Sequence, residues 1–249
     1  MNTIIINADD CGKSKGVNEA IAHCIDEGLI TSTTVMANMD DFEGALDLYK
    51  KYSGKISFGL HLTFDEGEPI IKSDILEERG FYRKVENRLL MAVPNLKKPI
   101  SRELSIALYE EIEAQLQKIL NSGMIITHFD SHHHIHTSPF VLPIVMKLAK
   151  KYNIRNIRGI RNYYPFSLNK CMRDGWKLYA KILNKNCRMT DYFCSVSEFV
   201  KSDLEVKDSI IELMCHPGHP KDIFAEEIKM LKSFLANEGD SFNFSTYYY

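Results

Sequence analysis

The chain is 249 residues long, 45% hydrophobic and 26% charged, with 31 basic against 33 acidic side chains and a formal net charge of −2. That length accommodates a sizeable core in one α/β domain spanning residues 1–249, and the near balance of charge gives no global pull toward nucleic acid or an anionic membrane, which leaves a small, near-neutral partner. No stretch approaches the roughly 20 apolar residues of a membrane helix, and Thr3-Ile4-Ile5-Ile6 reads as a strand rather than a signal-peptide core, so the cytoplasm is the expected compartment.

Residues 3–8 form a β-branched run ending in Asp9-Asp10-Cys11-Gly12, and Val17, Ala20, Ile21, Cys24 and Ile25 then recur at helical spacing before Gly28. Residues 31–37 read as a second strand. Asp40 opens a helix with Glu43 in capping-box position, and 55–62 returns as a third strand carrying His61. Three βα units in succession predict a parallel sheet with right-handed crossovers. Gly67, Pro69, Gly80, Pro94 and Pro99 break this rhythm over 65–100, which reads as an insertion over the site. A helix near 102–121 and a strand at 124–129 follow. Ser138-Pro139 stands where an N-cap and first helical residue belong, opening a helix to about Lys151. A strand near 154–159, a helix near 167–184, strands around 190–194 and at 209–215, and a helix at 222–237 complete the pattern. It predicts a single-domain (β/α) barrel-like fold of about seven mostly parallel strands. Cys11, Cys24, Cys171, Cys187, Cys194 and Cys215 lack CxxC spacing and are expected as free thiols, most of them in the core. Tyr247-Tyr248-Tyr249 form an aromatic tail whose packing the sequence leaves open.

Asp9 and Asp10 stand at the C-terminal end of the opening strand, the end at which barrel loops build active sites. Adjacent acids there read either as a helix N-cap with a solvated neighbour or as two groups with separate tasks, one ligating a metal and one taking a proton. His61, between Leu60 and Leu62, reads as buried, either hydrogen-bonded in the core or a ligand. The segment from His128 to His136 carries five histidines in nine residues. If it runs extended, His128, Asp130, His132, His134 and His136 share one face and His133 takes the other. A catalytic metal uses about three protein ligands and keeps a position open, so the surplus would orient the ligands or touch substrate. His216, before Pro217-Gly218, suits proton donation to a leaving group, with His219 the competing candidate. Arg158 can pair with an acid and hold it ionised, whereas Arg155 and Arg161 read as surface charges. Cys11 and Cys215 lie beside these residues but have no identified base.

Asn7-Ala8-Asp9-Asp10, Gly16-Val17-Asn18-Glu19-Ala20-Ile21, Thr31-Ser32-Thr33-Thr34, Gly59-Leu60-His61-Leu62, His128-Phe129-Asp130-Ser131-His132-His133-His134-Ile135-His136 and Met214-Cys215-His216-Pro217-Gly218 occur in that order. In these motifs the chain resembles the YdjC-like carbohydrate deacetylases, a group that includes chitooligosaccharide (chitin disaccharide) deacetylase. The resemblance runs from residue 4 to about 218. It implies a barrel-like fold related to the NodB-type polysaccharide deacetylases, one divalent metal, and removal of acetyl groups from N-acetylated sugars. By the same resemblance Asp10, His61 and His132 are the metal ligands, Asp9 the general base and His216 the general acid. Arg158 matches an arginine that orients the base, and Asp130, His128, His134 and His136 orient ligands or contact substrate. Cys11 departs from the aromatic residue usual after the acid pair.

Amide hydrolysis needs an activated water, a stabilised oxyanion and a proton for the departing amine, and a metal supplies the first two. Magnesium or zinc is expected, with manganese or cobalt also compatible with mixed carboxylate and imidazole donors. The expected partner is an N-acetylated sugar, without nucleic acid or membrane, and a homodimer is compatible with the resemblance. Two rival readings follow from the same residues. His134-x-His136 mimics the His-x-His pair of barrel phosphoesterases and amidohydrolases, although those sites carry the pair on their first strand. A non-catalytic sugar-binding relative would have lost a ligand or the base, and none is lost here.

Overall fold

A computed structural model describes residues 1–82, 100–163, 168–202, 205–219 and 222–247. Seven strands, β1 (Thr3–Cys11), β2 (Ser32–Val35), β3 (Ser57–Leu62), β4 (His128–Ser131), β5 (Asn156–Ile157), β6 (Tyr192–Ser195) and β7 (Ile210–Cys215), run parallel in the order β5-β4-β3-β2-β1-β7-β6. An eighth, β8 (Asn243–Phe244), pairs parallel with the start of β1. The helices are α1 (Lys15–Asp26), α2 (Phe42–Tyr52), α3 (Asp74–Glu78), α4 (Arg102–Asn121), α5 (Leu142–Lys151), α6 (Leu168–Leu183), α7 (Val196–Val200) and α8 (Asp222–Glu238). This is the expected barrel-like α/β fold. The sheet is curled, and its two edges meet through an isolated bridge between Asn156 and Arg188 and a bond from Asn162 N to Phe193 O of 3.1 Å. Among the described residues no helix is long and apolar enough to cross a membrane.

Period-two alternation divides the strands between two environments. Ile4, Ile6 and Ala8 of β1, Phe58, Leu60 and Leu62 of β3, Phe129 of β4, and Ile211 and Leu213 of β7 belong to the apolar core, together with Val17, Ile21, Cys24 and Ile25 of α1 and Leu108, Ile112, Leu116 and Ile119 of α4. At roughly 1.5–3 kcal/mol per fully buried aliphatic side chain, this outer layer supplies the main stabilisation. The alternate positions Asn7, Asp9, Thr34, His61, His128, Asp130 and Glu212 are buried polar groups inside the curl. Burying that many polar groups is tolerable only where they satisfy one another.

Several boundaries differ from the sequence reading. The histidine segment is extended only over β4. At His133 and His134 the chain turns into left-handed φ of 51° and 56°, coiling 132–137 into a 3₁₀ turn, so the expected one-face alternation stops at Ser131. Ser138 does not cap a helix beginning at Pro139. Its carbonyl accepts from Val141 N and Leu142 N, and α5 starts at Leu142. The capping box expected at Asp40 and Glu43 is absent. Asp41 precedes α2, and its carboxylate is taken by Asn18 Nδ2 at 2.9 Å. Such a box occurs instead at Ser195 and Glu198, opening α7. Of the segment expected as an insertion, 83–99 lies outside the described residues. Residues 70–82 pack on α4, with Ile70 N, Ile71 N and the Tyr82 hydroxyl donating to the buried Glu111 carboxylate. All six cysteines are free; Cys171 alone is exposed, and burial pushes the Cys11 thiol up to about 12, which makes it inert.

Candidate active site and metal centre

Ala8 pairs with Thr33 and Cys11 with Val35, so β1 carries one more residue than β2 over this interval, and Asp10 adopts a left-handed φ of 70°. A bulge of this kind bends the strand and re-aims its side chains. Asp9 and Asp10 would otherwise project to opposite faces; here both are buried and reach the interior of the curl.

Asp10 Oδ1 lies 3.3 Å from His61 Nε2 and 3.1 Å from His132 Nδ1. One donor atom from each of the three residues falls within 4.8 Å of the others. His61 Nδ1 is 2.7 Å from Asp130 Oδ1, and Asp130 Oδ2 accepts from the Thr34 hydroxyl at 3.0 Å. A carboxylate behind one ring nitrogen fixes the tautomer and directs the other toward a metal. His61 Nε2 and His132 Nε2 are buried without a well-formed hydrogen bond, a condition rare for buried polar atoms. Burial alone would lower both imidazoles. Asp130 and Asp10 instead raise His61 to about 10, and Asp10 with Glu66 raises His132 to about 9. Burial would also raise the Asp10 carboxyl, yet hydrogen bonds from His132 and His61 hold it well below the usual carboxylate range. A centre that draws positive charge to itself and orphans imidazole nitrogens fits a divalent cation, and its mixed donors fit the ions expected from sequence.

Among the described residues two other groups of acids and histidines come equally close, Asp65/His132/His133 and Asp9/His61/Asp130. In the first, Asp65 is already paired with the partly exposed His133. In the second, Arg158 engages both carboxylates: Nη1 and Nη2 donate to Asp9 at 2.7 Å each, and Nη1 lies 2.7 Å from Asp130 Oδ2. Arg158 Nε also donates to Glu212 at 2.6 Å, and its guanidinium lies 4.7 Å from the centroid of the Phe193 ring. Asp9 Oδ1 further accepts from Asn7 Nδ2 at 2.8 Å. Burial tends to raise the Asp9 carboxyl, but Arg158 outweighs it and holds the group far below its ordinary value.

The remaining cluster histidines are neutral supports. His128 touches Ser32 Oγ and Asn7 Oδ1, each at 3.3 Å, and burial drops it to about 3. His136 links Ser131 Oγ at 2.6 Å to the Arg158 carbonyl at 3.0 Å, and burial lowers it to about 4. His134 packs edge-on against Phe193, and burial and Arg158 keep it well below its usual value. His216 leaves β7 with Nδ1 3.4 Å from the buried Glu227 Oε2 of α8. The turn after it needs Gly218, with φ 73°, because a Cβ there would meet Gly16 O at 2.8 Å.

The sequence reading overlooked Asn7, Thr34, Lys13, Asp65, Glu66 and Glu212. Lys13 Nζ lies 2.7 Å from Glu66 Oε2 and 3.4 Å from Asp10 Oδ2, and Glu66 Oε1 lies 3.7 Å from His132 Nε2. His132 and Lys13 hold the Glu66 carboxyl down at about 2. Asn7 and Glu212 could have been found. Asn7 shares a strand face with Asp9, and Glu212 is an acid inside the apolar run Ile210–Cys215, on the face that leads to His216. Lys13 and Glu66 lie in loops, where no periodicity points to them.

Among proteins of known kind, carbohydrate deacetylases from Brevibacillus brevis, Halalkalibacterium halodurans and Thermoanaerobacter pseudethanolicus are similar to this chain. The first is 40% identical over 222 residues, covering 87% of this chain and 81% of the relative. The second is 31% identical over 238 residues, covering 93% and 92%. The third is 33% identical over 229 residues, covering 89% and 83%. A solved structure from Enterococcus faecalis, assigned to cellobiose-phosphate cleavage, superposes with a TM-score of 0.69 at 23% identity, covering 99% of this chain and 97% of that one. A lactam utilization protein from Thermus thermophilus gives 0.52 at 11% identity, covering 99% and 100%. Both of these speak for the fold alone. The family model of YdjC-like proteins matches residues 3–239, and the chain belongs to that family.

Proposed function

We propose that this protein is a metal-dependent carbohydrate deacetylase, hydrolysing the acetamide of N-acetylated sugars, chitooligosaccharides among them. The observation that carries this reading is the Asp10–His61–His132 group beside an Asp9 carboxylate locked to Arg158, in a chain 40% identical to a carbohydrate deacetylase. Asp10, His61 and His132 would hold one divalent ion, magnesium or zinc, with manganese and cobalt also suited to the donors. Such an ion lowers the pKa of water and polarises the acetyl carbonyl.

Asp130 keeps His61 oriented. Arg158 pairs with Asp9 and holds it ionised, the form that accepts the proton of the attacking water. His216, backed by Glu227, delivers a proton to the sugar nitrogen as the C–N bond breaks, leaving acetate and a free amine. The balance closes with one proton taken at Asp9 and one given at His216. Assay of acetate and primary amine from N,N′-diacetylchitobiose and shorter and longer N-acetylated sugars tests the reading. Equimolar acetate and amine are expected; silence on every sugar by protein with metal bound would overturn it.

A further inference from the structure

The chain up to Tyr247 enters the barrel from the end opposite the Asp10–His61–His132 group; Tyr248 and Tyr249 lie outside the described residues. Asn243 N and Ser245 N donate to Asn2 O and Ile4 O, each at 3.0 Å, carrying the chain alongside β1. Tyr247 N then donates to Ser57 Oγ at 3.1 Å, and the Tyr247 ring lies buried on the His128 imidazole, with centroids 3.9 Å apart and planes 21° from parallel. The space for this stack is built into β3: a Cβ on Gly59 would lie 2.6 Å from His128 Cε1 and Nε2. The other side of Tyr247 is also polar. Its hydroxyl and Glu212 Oε2 are both buried without a well-formed hydrogen bond, and burial together with the Glu212 charge raises the hydroxyl well above its ordinary value.

These two neighbours of Tyr247 are the roots of the two supports of Asp9. His128 Nε2 meets Asn7 Oδ1, and Asn7 Nδ2 donates to Asp9 Oδ1. Glu212 accepts from Arg158 Nε, and Arg158 grips Asp9 with both terminal nitrogens. We propose that Tyr247 is a positioning residue: by stacking on His128 and covering Glu212 it holds the Asn7 and Arg158 supports of Asp9 in place from the far end of the barrel. Tyr247 lies beyond residue 239, where the match to the family model ends. Apolar cover over a charge-assisted pair also matters physically, because water admitted beside it would weaken every bond in the network.

The proposal rests on Asp9 acting in the reaction, and its test separates the two. In Tyr247→Leu the ring is lost, and kcat for acetate release is expected to fall about tenfold or more, since small misplacements of reacting groups cost that much, with KM and bound metal unchanged. Tyr247→Phe keeps the ring and should recover most of kcat. NMR at a temperature well below melting gives an independent readout. The Arg158 Nε–H resonance, set by its bond to Glu212, is expected to move in Tyr247→Leu and to stay near its wild-type position in Tyr247→Phe. Loss of thermal stability in Tyr247→Leu with kcat and the Arg158 signal both unchanged would reduce the tail to a structural plug and overturn the proposal. If wild-type protein releases no acetate from any sugar, the functional reading fails, while the Arg158 resonance still decides what Tyr247 does.

Discussion

Asp9 and Asp10 are neighbours in sequence with different chemistry around them. Asp10 faces two imidazoles, whereas Asp9 faces a guanidinium. Asp9→Asn is therefore expected to bind metal as wild type and to lose turnover on the order of 10²- to 10⁴-fold, read by metal analysis and acetate release. Loss of metal in that variant would mean the two carboxylates share the ion. Asp130→Asn, which removes the group behind His61 Nδ1, should weaken metal binding about 10- to 100-fold. Titration calorimetry showing unchanged affinity would contradict that role. The metal-free protein has its own pH signature. Folded-state values of about 10 for His61 and about 9 for His132 exceed the ordinary 6.5 of an imidazole, so the folded form binds more protons than the unfolded form between these limits. This contribution to stability is fully present below pH 6.5 and is lost as pH rises through 9 to 10. Urea midpoints of chelated protein should fall from pH 6.5 to 9. A flat or rising midpoint would contradict the charge assignment.

At the scale of elements, the site depends on where strands depart from regularity: the bulge at Asp10, the left-handed turn at His133 and His134, and the bare backbone of Gly59 beneath His128. Gly59→Ala adds one methyl against a buried ring and is expected to cost roughly 1–3 kcal/mol in chemical denaturation, as overpacked cores do. A variant of wild-type stability would show that His128 can shift freely. These irregularities also mark what sequence could and could not reveal. Alternation located β1, β3 and β7, and the family resemblance implied Asp10, His61 and His132 as a ligand set, three residues that the structure brings together. Periodicity cannot report a left-handed φ, so His134 and His136 were expected to face inward from an extended strand when they wrap the mouth of the barrel. Nor could it pair Lys13 with Glu66, two loop residues separated by α1, β2, α2 and β3. Short strands were equally hard to delimit: β5 holds two ladder residues where six were expected.

For the whole molecule, the curled sheet separates stability from chemistry. Helices cover its outer face with an apolar layer, and a polar network runs through the interior from Tyr247 at one end to the Asp10–His61–His132 group at the other. Arg158 joins these parts, balancing Asp9, Asp130 and Glu212 with no exposed surface of its own. Arg158→Met removes the guanidinium from three buried carboxylates, leaving Asp9 and Glu212 without a cation, and is expected to destabilise the fold by about 3–5 kcal/mol, the usual cost of breaking a buried ion pair. Denaturation curves matching wild type would mean the carboxylates find other cations. The most direct single measurement is a metal titration of chelator-stripped protein, following acetate release from N,N′-diacetylchitobiose. Activity should be absent at the start and reach its plateau at one equivalent of ion per chain in wild type, and should stay absent in Asp10→Asn. Full acetate release by the stripped protein, or an unaltered titration in Asp10→Asn, would contradict a single metal ion held by Asp10, His61 and His132.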